Sequence, residues 1–172
     1  PFDGLPASEQ TEVRVLADES AVCVGVWLFD SEPARIVDGE SIRDASLAES
    51  DAVLLIFDTF RDRRNGFVFG TNPSGIEFDG QVVNEGEGGG GGGAGPGGGG
   101  GRQVGGAGGG FNQNWDGSWD VATSRDERGW YAEFRIPFST LRYGAPGKQS
   151  WGLNLSRNIR RRNEEVFWAP IP

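Results

Sequence analysis

Two tryptophans and their polar neighbours form the clearest candidate for a binding site in this chain. Trp115 and Trp119 lie within the segment NWDGSWD, in which Asn114 carries an amide and Asp116 a carboxylate. An exposed aromatic ring can stack on the apolar face of a pyranose, while nearby amides and carboxylates bind its hydroxyls. The structural alternative is that tryptophans four residues apart beside a glycine turn clamp the start of a strand. The sequence leaves both interpretations open.

Acidic side chains in the segment FDTFRDRRNG are the candidate metal ligands. Asp58 and Asp62 lie within eight residues of each other and of Asn65. Calcium needs several converging oxygen ligands, and two carboxylates with one amide could begin such a set. The same segment carries three arginines that could neutralise the carboxylates instead. We therefore favour a salt-bridged turn, keep calcium as the alternative, and predict no other cofactor.

The residue types that most often perform catalysis are scarce. The chain has no histidine and one cysteine, Cys23, which removes the usual zinc and thiol-nucleophile sites. Glycines are abundant, but no Gly-Lys-Ser/Thr ending or helix pattern follows them, so a phosphate-binding loop is not indicated. The sequence gives no way to place two carboxylates at the separation that a glycosidase requires. We expect a protein that is not an enzyme.

Alternating apolar residues near the C-terminus position these candidates on β-strands. Trp130, Ala132, Phe134 and Ile136 alternate with polar residues, which predicts a strand with one buried face that Pro137 ends. A second strand is predicted from residue 151 and a short third one at 166–168. The tryptophans of these alternating segments are predicted to be core residues: Trp27, Trp130, Trp151 and Trp168.

A glycine-rich tract spans residues 86–110 and holds 18 of the 30 glycines in the chain. Such a tract buries little side-chain surface and loses much backbone entropy on ordering, so a flexible insertion between strands is the default expectation. Two alternatives would supply backbone partners: extended glycine segments packed side by side, or a tract held against another protein chain. In the last case the contact residues would include Gly90, Gly99 and Arg102.

One basic cluster lies near the C-terminus and is followed immediately by two acidic residues. Its members are Arg157 and the run 160–162, offset by Glu164 and Glu165. Charges of both signs so close together are typical of a solvated hairpin tip. The alternative is a site for an anion or a protein partner, for which Arg160 and Arg161 are the candidates.

The order of these elements resembles a known domain family. The strand GWYAEFRIP, the IPFS-L turn, the W-G-x-N strand and the W-x-P ending, together with the upstream segments VCVGVWLFD and FDTFRDRRNG, resemble carbohydrate-binding module family 9. More narrowly, they resemble the version at the front of bacterial outer-membrane proteins of the DUF5916 group. The family's opening D-G-x-L-D-x-x-W strand and the barrel-like region that commonly follows are missing, so the chain resembles a fragment or a reduced relative.

The resemblance implies an antiparallel β-sandwich of eight or nine strands with immunoglobulin-like architecture. It would form a single domain over residues 1–172, with residues 86–110 as an insertion. The resemblance also implies a periplasmic, cell-surface or outer-membrane location, and sugar-binding members of the family are associated with calcium.

The amino-acid composition argues against some classes of binding partner. The net charge of −9 argues against a general affinity for nucleic acid, and no apolar stretch approaches the roughly 20 residues of a membrane-spanning helix. Two functions remain. In the first, the chain is a non-catalytic accessory subunit that binds other proteins of a membrane-associated assembly through its sandwich and glycine tract. In the alternative, it is a module that docks on cell-surface or extracellular polysaccharide.

Overall fold

The computed structural model describes residues 6–83, 110–144 and 147–169. Ten strands lie within these residues, all paired antiparallel, in two sheets. They are β1 (Thr11–Ala17), β2 (Ala21–Phe29), β3 (Ala52–Asp58), β4 (Gly66–Thr71), β5 (Phe78–Val82), β6 (Phe111–Asn112), β7 (Asp120–Asp126), β8 (Gly129–Pro137), β9 (Gly152–Ile159) and β10 (Glu164–Phe167).

The first sheet has four strands in the order β1-β2-β8-β7. Its central strands β2 and β8 alternate between buried and more exposed residues along their length. Val24 and Val26 of β2 lie opposite Phe134 and Ala132 of β8, and all four side chains face the interior. This period-2 burial is the pattern of a sheet with one covered face and one open face. The strand predicted to end at Pro137 is confirmed.

The second sheet has six strands in the order β10-β9-β3-β4-β5-β6. Strands β3 and β4 are buried along almost their whole length, because both faces of this sheet are covered near its centre. The outer face packs against the segment between β2 and β3, where Leu47 belongs to a second apolar cluster with Leu54 and Val68. Gly70 permits this packing, because a side-chain Cβ at that position would lie 2.9 Å from Leu47.

The main core lies between the inner faces of the two sheets. It contains side chains from both sheets, including Leu28 and Trp130 from the four-stranded sheet and Leu55 and Phe69 from the six-stranded one. The chain is therefore an all-β, antiparallel β-sandwich, as predicted, although its described part has ten strands rather than eight or nine. The strands predicted from residue 151 and at 166–168 correspond to β9 and β10.

The four tryptophans predicted to be core residues have different environments. Trp130 is fully buried, as expected, and Trp151 packs against the core while remaining half-buried. The prediction is wrong for the other two. Trp27 lies half-buried on the open face of the four-stranded sheet, with the Arg14 guanidinium 4.9 Å from its ring centroid. Trp168 follows β10 with 68% of its surface exposed.

Buried arginines join the two sheets at the end that contains the β9–β10 hairpin. Arg157 is 1% exposed and points inward from β9, where its guanidinium donates to the backbone carbonyls of Gln10 (2.8 Å) and Phe29 (2.7 Å). The Arg161 side chain, 5% exposed, forms ion pairs with Glu9 and Asp30. The predicted solvated hairpin tip is therefore wrong for these two arginines. Opposite charges and carbonyls offset the cost of burying them.

The glycine-rich tract, except for its last residue, lies outside the described residues. The described residues before and after it belong to β5 and β6, which pair with each other through Val82 and Phe111. Within residues 6–83, 110–144 and 147–169, no helix is long and apolar enough to cross a lipid bilayer.

Candidate functional site

Trp119 belongs to the core rather than to a binding surface. It is 4% exposed, its ring stacks on Phe134 with centroids 5.8 Å apart, and it meets Phe69 edge-on at 5.2 Å. Its indole Nε1 donates a 2.7 Å hydrogen bond to the buried carboxylate of Asp79. Because neither ring face is open, the predicted sugar-stacking role of Trp119 is wrong. The alternative of a tryptophan that anchors the start of β7 fits this geometry.

The other predicted ligand-binding residues of this segment surround that anchor. Trp115 is half-buried against Phe67, with ring centroids 5.1 Å apart. Asn114 is exposed, and the carboxylate of Asp116 accepts a hydrogen bond from Arg43 at 2.6 Å. The segment therefore packs Trp115 inward and does not present a pair of parallel rings to solvent.

Arg43 holds this region together electrostatically. Its guanidinium lies among four carboxylates and donates to Asp79 at 2.7 Å. Burial raises the pKa of Asp79 from its ordinary value, although the hydrogen bond from Trp119 and the charge of Arg43 act in the opposite direction. The other carboxylates are those of Asp44, Glu77 and Asp116. These interactions give the acidic side chains here a structural role.

The carboxylates of Asp58 and Asp62 organise a turn through backbone amides. Asp58 accepts from the N–H groups of Asp62 (3.2 Å) and Arg63 (2.8 Å), and Asp62 accepts from those of Arg64 (2.8 Å) and Asn65 (2.9 Å). Burial opposes a low pKa for Asp62, but hydrogen bonds from Asn65 and the backbone outweigh it and lower the pKa.

These bonds give the calcium alternative no support. Both oxygens of Asp58 accept backbone hydrogen bonds, and the second oxygen of Asp62 accepts from the Asn65 side-chain amide at 2.8 Å. Among the described residues no group of three or more acidic, histidine or cysteine side chains is placed to hold a metal ion.

The residues predicted to contact a protein partner fall into three groups. Gly90, Gly99 and Arg102 lie outside the described residues. Arg161 is buried in the ion pairs described above, so the prediction that it contacts a partner is wrong. Arg160 is partly exposed and donates to Glu49 at 2.6 Å and to the side chain of Asn163 at 3.2 Å.

A cluster of aromatic rings lies at the end of the sandwich where β3 and β8 finish. Residue Asp58 at the end of β3 pairs with Gly152 at the start of β9, so the β3–β4 and β8–β9 loops leave the sheets side by side. We call this surface the aromatic end and define it by four residues from those loops: Phe60, Phe138, Tyr143 and Trp151.

Three rings of the aromatic end contact one another, and two of its four residues are open to solvent. Tyr143 lies 5.6 Å from Trp151 and 6.3 Å from Phe138, and Phe138 lies 5.9 Å from Trp151, measured between ring centroids. Trp151 also meets Phe57 of the core at 6.5 Å. Tyr143 is 40% exposed and Phe60 53% exposed. An aromatic surface fixed by edge-on contacts to the core is thus presented to solvent.

Polar contacts tie the two loops together around these rings. The Thr59 hydroxyl donates to the Arg142 carbonyl, and the Arg61 guanidinium donates to the Ser150 hydroxyl at 3.2 Å. Phe60 lies between these two ties along the chain. Arg61 and Arg63 have φ values of 55° and 59°, a conformation that is unfavourable for residues other than glycine and that clusters at functional sites.

Sequence reasoning missed this surface because its aromatic residues are far apart in the chain. Phe60 sits among charges that point to a metal or a salt bridge, and Tyr143 lies in an irregular loop. The available signal was their position: both follow predicted strand ends, and the two strands had to be neighbours for their loops to meet.

Solved structures of other proteins share this β-sandwich fold. No family model matches the chain, and no curated protein matches its sequence. A solved protein from Bacteroides uniformis, provisionally described as carbohydrate-binding, is similar with a TM-score of 0.66 and 12% identity over 99% of this chain and 73% of its own. A family 9 carbohydrate-binding module from Caldicellulosiruptor kristjanssonii, solved with cellotriose, is similar with a TM-score of 0.53 and 13% identity. That match covers 95% of this chain and 66% of the module's chain. The chain has a β-sandwich fold like that of family 9 modules.

Proposed function

We propose that this domain is a non-catalytic module that binds carbohydrate at the aromatic end. The observation that carries the proposal is the exposed Tyr143 on a fixed aromatic cluster, with the exposed Phe60 in the adjoining β3–β4 loop, in a fold shared with two proteins described as carbohydrate-binding. Stacking on a sugar ring needs an accessible aromatic face, and this surface offers one where the segment around Trp119 does not.

The polar groups around the rings suit the remaining requirement of sugar recognition. Arg61 and Ser150 already bond each other, and the side chains of Arg142 and Gln149 belong to the same loop as Tyr143. Hydroxyl groups of a sugar both donate and accept hydrogen bonds, so amide, hydroxyl and guanidinium groups beside the rings could fix its orientation. The loops are anchored to paired strands, which limits the entropy lost on binding.

The accessory-subunit hypothesis has less support. It relied on the glycine tract and on arginines that were predicted to lie at the surface, and one of these, Arg161, is buried. The comparisons favour carbohydrate binding over a protein-subunit role. A periplasmic or cell-surface location remains part of our proposal, and fractionation of cells that express the natural gene would test it.

Affinity electrophoresis tests the proposed function. The chain would be run in native gels that contain, one at a time, hydroxyethylcellulose, xylan, galactomannan, methyl-esterified pectin and de-esterified pectin. We expect at least one polysaccharide to retard the wild-type protein. Replacement of Phe60 or Tyr143 by alanine should weaken the affinity for that polysaccharide, calculated from the retardation, about tenfold. This is the effect of losing a central aromatic contact.

A matched aromatic control uses Trp27→Ala. Trp27 is half-buried on the open sheet face and pairs across strands with Tyr131, near the end of β8 opposite Pro137. Its removal should leave the retardation unchanged. The proposal fails if no polysaccharide retards the wild type, or if the Phe60 and Tyr143 variants, shown to be folded by circular dichroism, bind as tightly as it does.

A further inference from the structure

Positive charge is concentrated at the aromatic end of an otherwise acidic chain. The protein has 16 lysine and arginine residues against 25 aspartates and glutamates, for a net charge of −9. Residues 58–65 and 138–151, the loops that carry the aromatic end, reverse this balance with five cationic side chains and two carboxylates, a net charge of +3. The cationic residues are Arg61, Arg63, Arg64, Arg142 and Lys148.

Three of the five cations at the aromatic end differ from most arginines elsewhere in the described residues, because they form no ion pair with a described carboxylate. Most arginines of the described residues outside it pair with a carboxylate: Arg14, Arg35, Arg43, Arg125, Arg128, Arg160, Arg161 and Arg162. At the aromatic end, Arg63, Arg142 and Lys148 are exposed, and no described acidic residue forms an ion pair with them. The Arg61 guanidinium binds the neutral Ser150 hydroxyl.

Against the effect of burial, the charge of Arg64 helps to lower the pKa of the nearby Asp62, but neither Asp58 nor Asp62 forms an ion pair with Arg63, Arg142 or Lys148. Asp58 and Asp62 direct their oxygens at backbone N–H groups and the Asn65 amide, as described above. An exposed cation that is not paired with a described acidic residue is available for a charge-assisted hydrogen bond to an external anion. Such bonds are stronger than those between neutral groups, so they would dominate the choice of ligand.

We propose that the ligand of the aromatic end is an acidic polysaccharide. Its carboxylate or sulfate groups would bind Arg63, Arg142 and Lys148, and its sugar rings would contact Phe60 and Tyr143. This inference rests on the proposed carbohydrate-binding function and names the class of glycan. The charge pattern also explains how a chain with net charge −9 accepts a polyanion, because repulsion from the distant acidic groups is screened beyond about 10 Å.

A single-stranded nucleic acid also combines stacking rings with anionic groups. The likeness of the fold to carbohydrate-binding proteins favours the glycan. An oligonucleotide therefore enters the test as a competing ligand.

The test compares one polymer with its carboxylates free or blocked. Isothermal titration calorimetry would measure affinity for homogalacturonan oligomers in de-esterified and methyl-esterified form, and for dextran sulfate against dextran. A thymidine oligonucleotide is the third probe. We expect a charged glycan to bind about tenfold or more tightly than its uncharged form, the effect of one charge-assisted hydrogen bond. An increase in NaCl from about 50 to about 500 mM should remove most of that difference.

Charge variants locate the effect. Arg142→Gln combined with Lys148→Gln removes two exposed cations of the aromatic end and should reduce the preference for the charged form about tenfold or more. Arg128→Gln makes the same kind of change in the β7–β8 hairpin, at the opposite end of β8, and should leave the preference intact. Thermal unfolding would show that both proteins are folded.

Each outcome decides the inference. A preference for free carboxylates assigns a uronate-containing glycan, and a preference for dextran sulfate assigns a sulfated one. Equal, salt-independent binding of charged and uncharged forms would overturn the inference and leave the carbohydrate-binding function standing. Tighter binding of the oligonucleotide, or full retention of the preference in the Arg142 and Lys148 variant, would also overturn it. If no glycan of any kind binds, the proposed function fails as well.

Discussion

Replacement of the buried Arg157 by methionine should destabilise the sandwich more than any surface substitution. Arg157 donates to the Gln10 carbonyl (2.8 Å), the Thr11 hydroxyl (3.0 Å) and the Phe29 carbonyl (2.7 Å). It therefore connects β9 to the open end of the β1–β2 hairpin, where the start of β1 pairs with the end of β2. Methionine would fill much of the volume but donate no hydrogen bond. The partly buried carbonyl of Phe29 would lose this donor.

The size of the effect follows from these contacts. Hydrogen bonds from a charged group contribute about 1.5–3 kcal/mol each, and loss of one partner from a buried charged network costs about 3–5 kcal/mol. Burial lowers the pKa of Arg157, while Asp30 and Asp51 act to raise it, so those two carboxylates would lose a neighbouring positive charge. We therefore expect a loss of about 3–5 kcal/mol, a large part of the usual stability of a domain.

Urea unfolding followed by circular dichroism would measure the change, with the m-value expected to stay constant. Arg135→Met is the matched control, because Arg135 is exposed on the open sheet face and donates one 3.1 Å hydrogen bond to Ser20. Its loss should change the free energy of unfolding by less than about 0.5 kcal/mol. A loss below about 1 kcal/mol for Arg157→Met would refute the interpretation that buried hydrogen bonds from Arg157 stabilise the contact between β9 and the β1–β2 hairpin.

Three further substitutions test other parts of the structure. Trp119→Phe should cost about 1–3 kcal/mol in urea unfolding, because it leaves the Asp79 carboxylate without its indole donor, yet polysaccharide affinity of the folded variant should not change. Burial raises the pKa of Asp51 above 3.8, so its ionised carboxylate destabilises the fold at neutral pH. The free energy of unfolding of the wild type should therefore increase through this group as the pH falls toward 3.8. Asp51→Asn should abolish that increase and raise Tm at pH 7 by about 2–4 °C. Gly80→Ala should cost about 1–3 kcal/mol in urea unfolding, because its Cβ would clash with the Phe111 ring. No loss in the Trp119 or Gly80 variant, or an unchanged pH profile for Asp51→Asn, would contradict these assignments.

Strand positions were predictable because a covered sheet face imposes its period on the sequence. The alternation around Phe134 and Ile136 located β8, and the same pattern located β9. The alternation did not show which face was covered. Trp27 sits on a strand that is apolar on both sides, and only the packing of the second sheet decides that Val26 and Leu28 face the core while Trp27 faces outward.

Charge and spacing were less informative about the interior and the site. Arg157 and Arg161 occur in a run of basic residues that suggests exposure, but Arg157 occupies an inward register position on β9 whose partners are backbone carbonyls from distant strands. Trp119 has the local sequence of a binding residue and the three-dimensional environment of a core residue. The aromatic end depends on Phe60 and Tyr143, whose loops are brought together by the pairing of β3 with β9.

The central claim, that carbohydrate binds at the aromatic end, is tested most directly by NMR. Each of the six tryptophans gives one indole N–H signal, and these signals would be followed during titration with the polysaccharide fragment that binds best. Trp151 contacts Tyr143 at 5.6 Å, so its signal should shift in a saturable manner. The signals of Trp27 and Trp130, near the opposite end of β8, should stay in place. Saturable shifts of Trp27 without any change at Trp151 would contradict the claim.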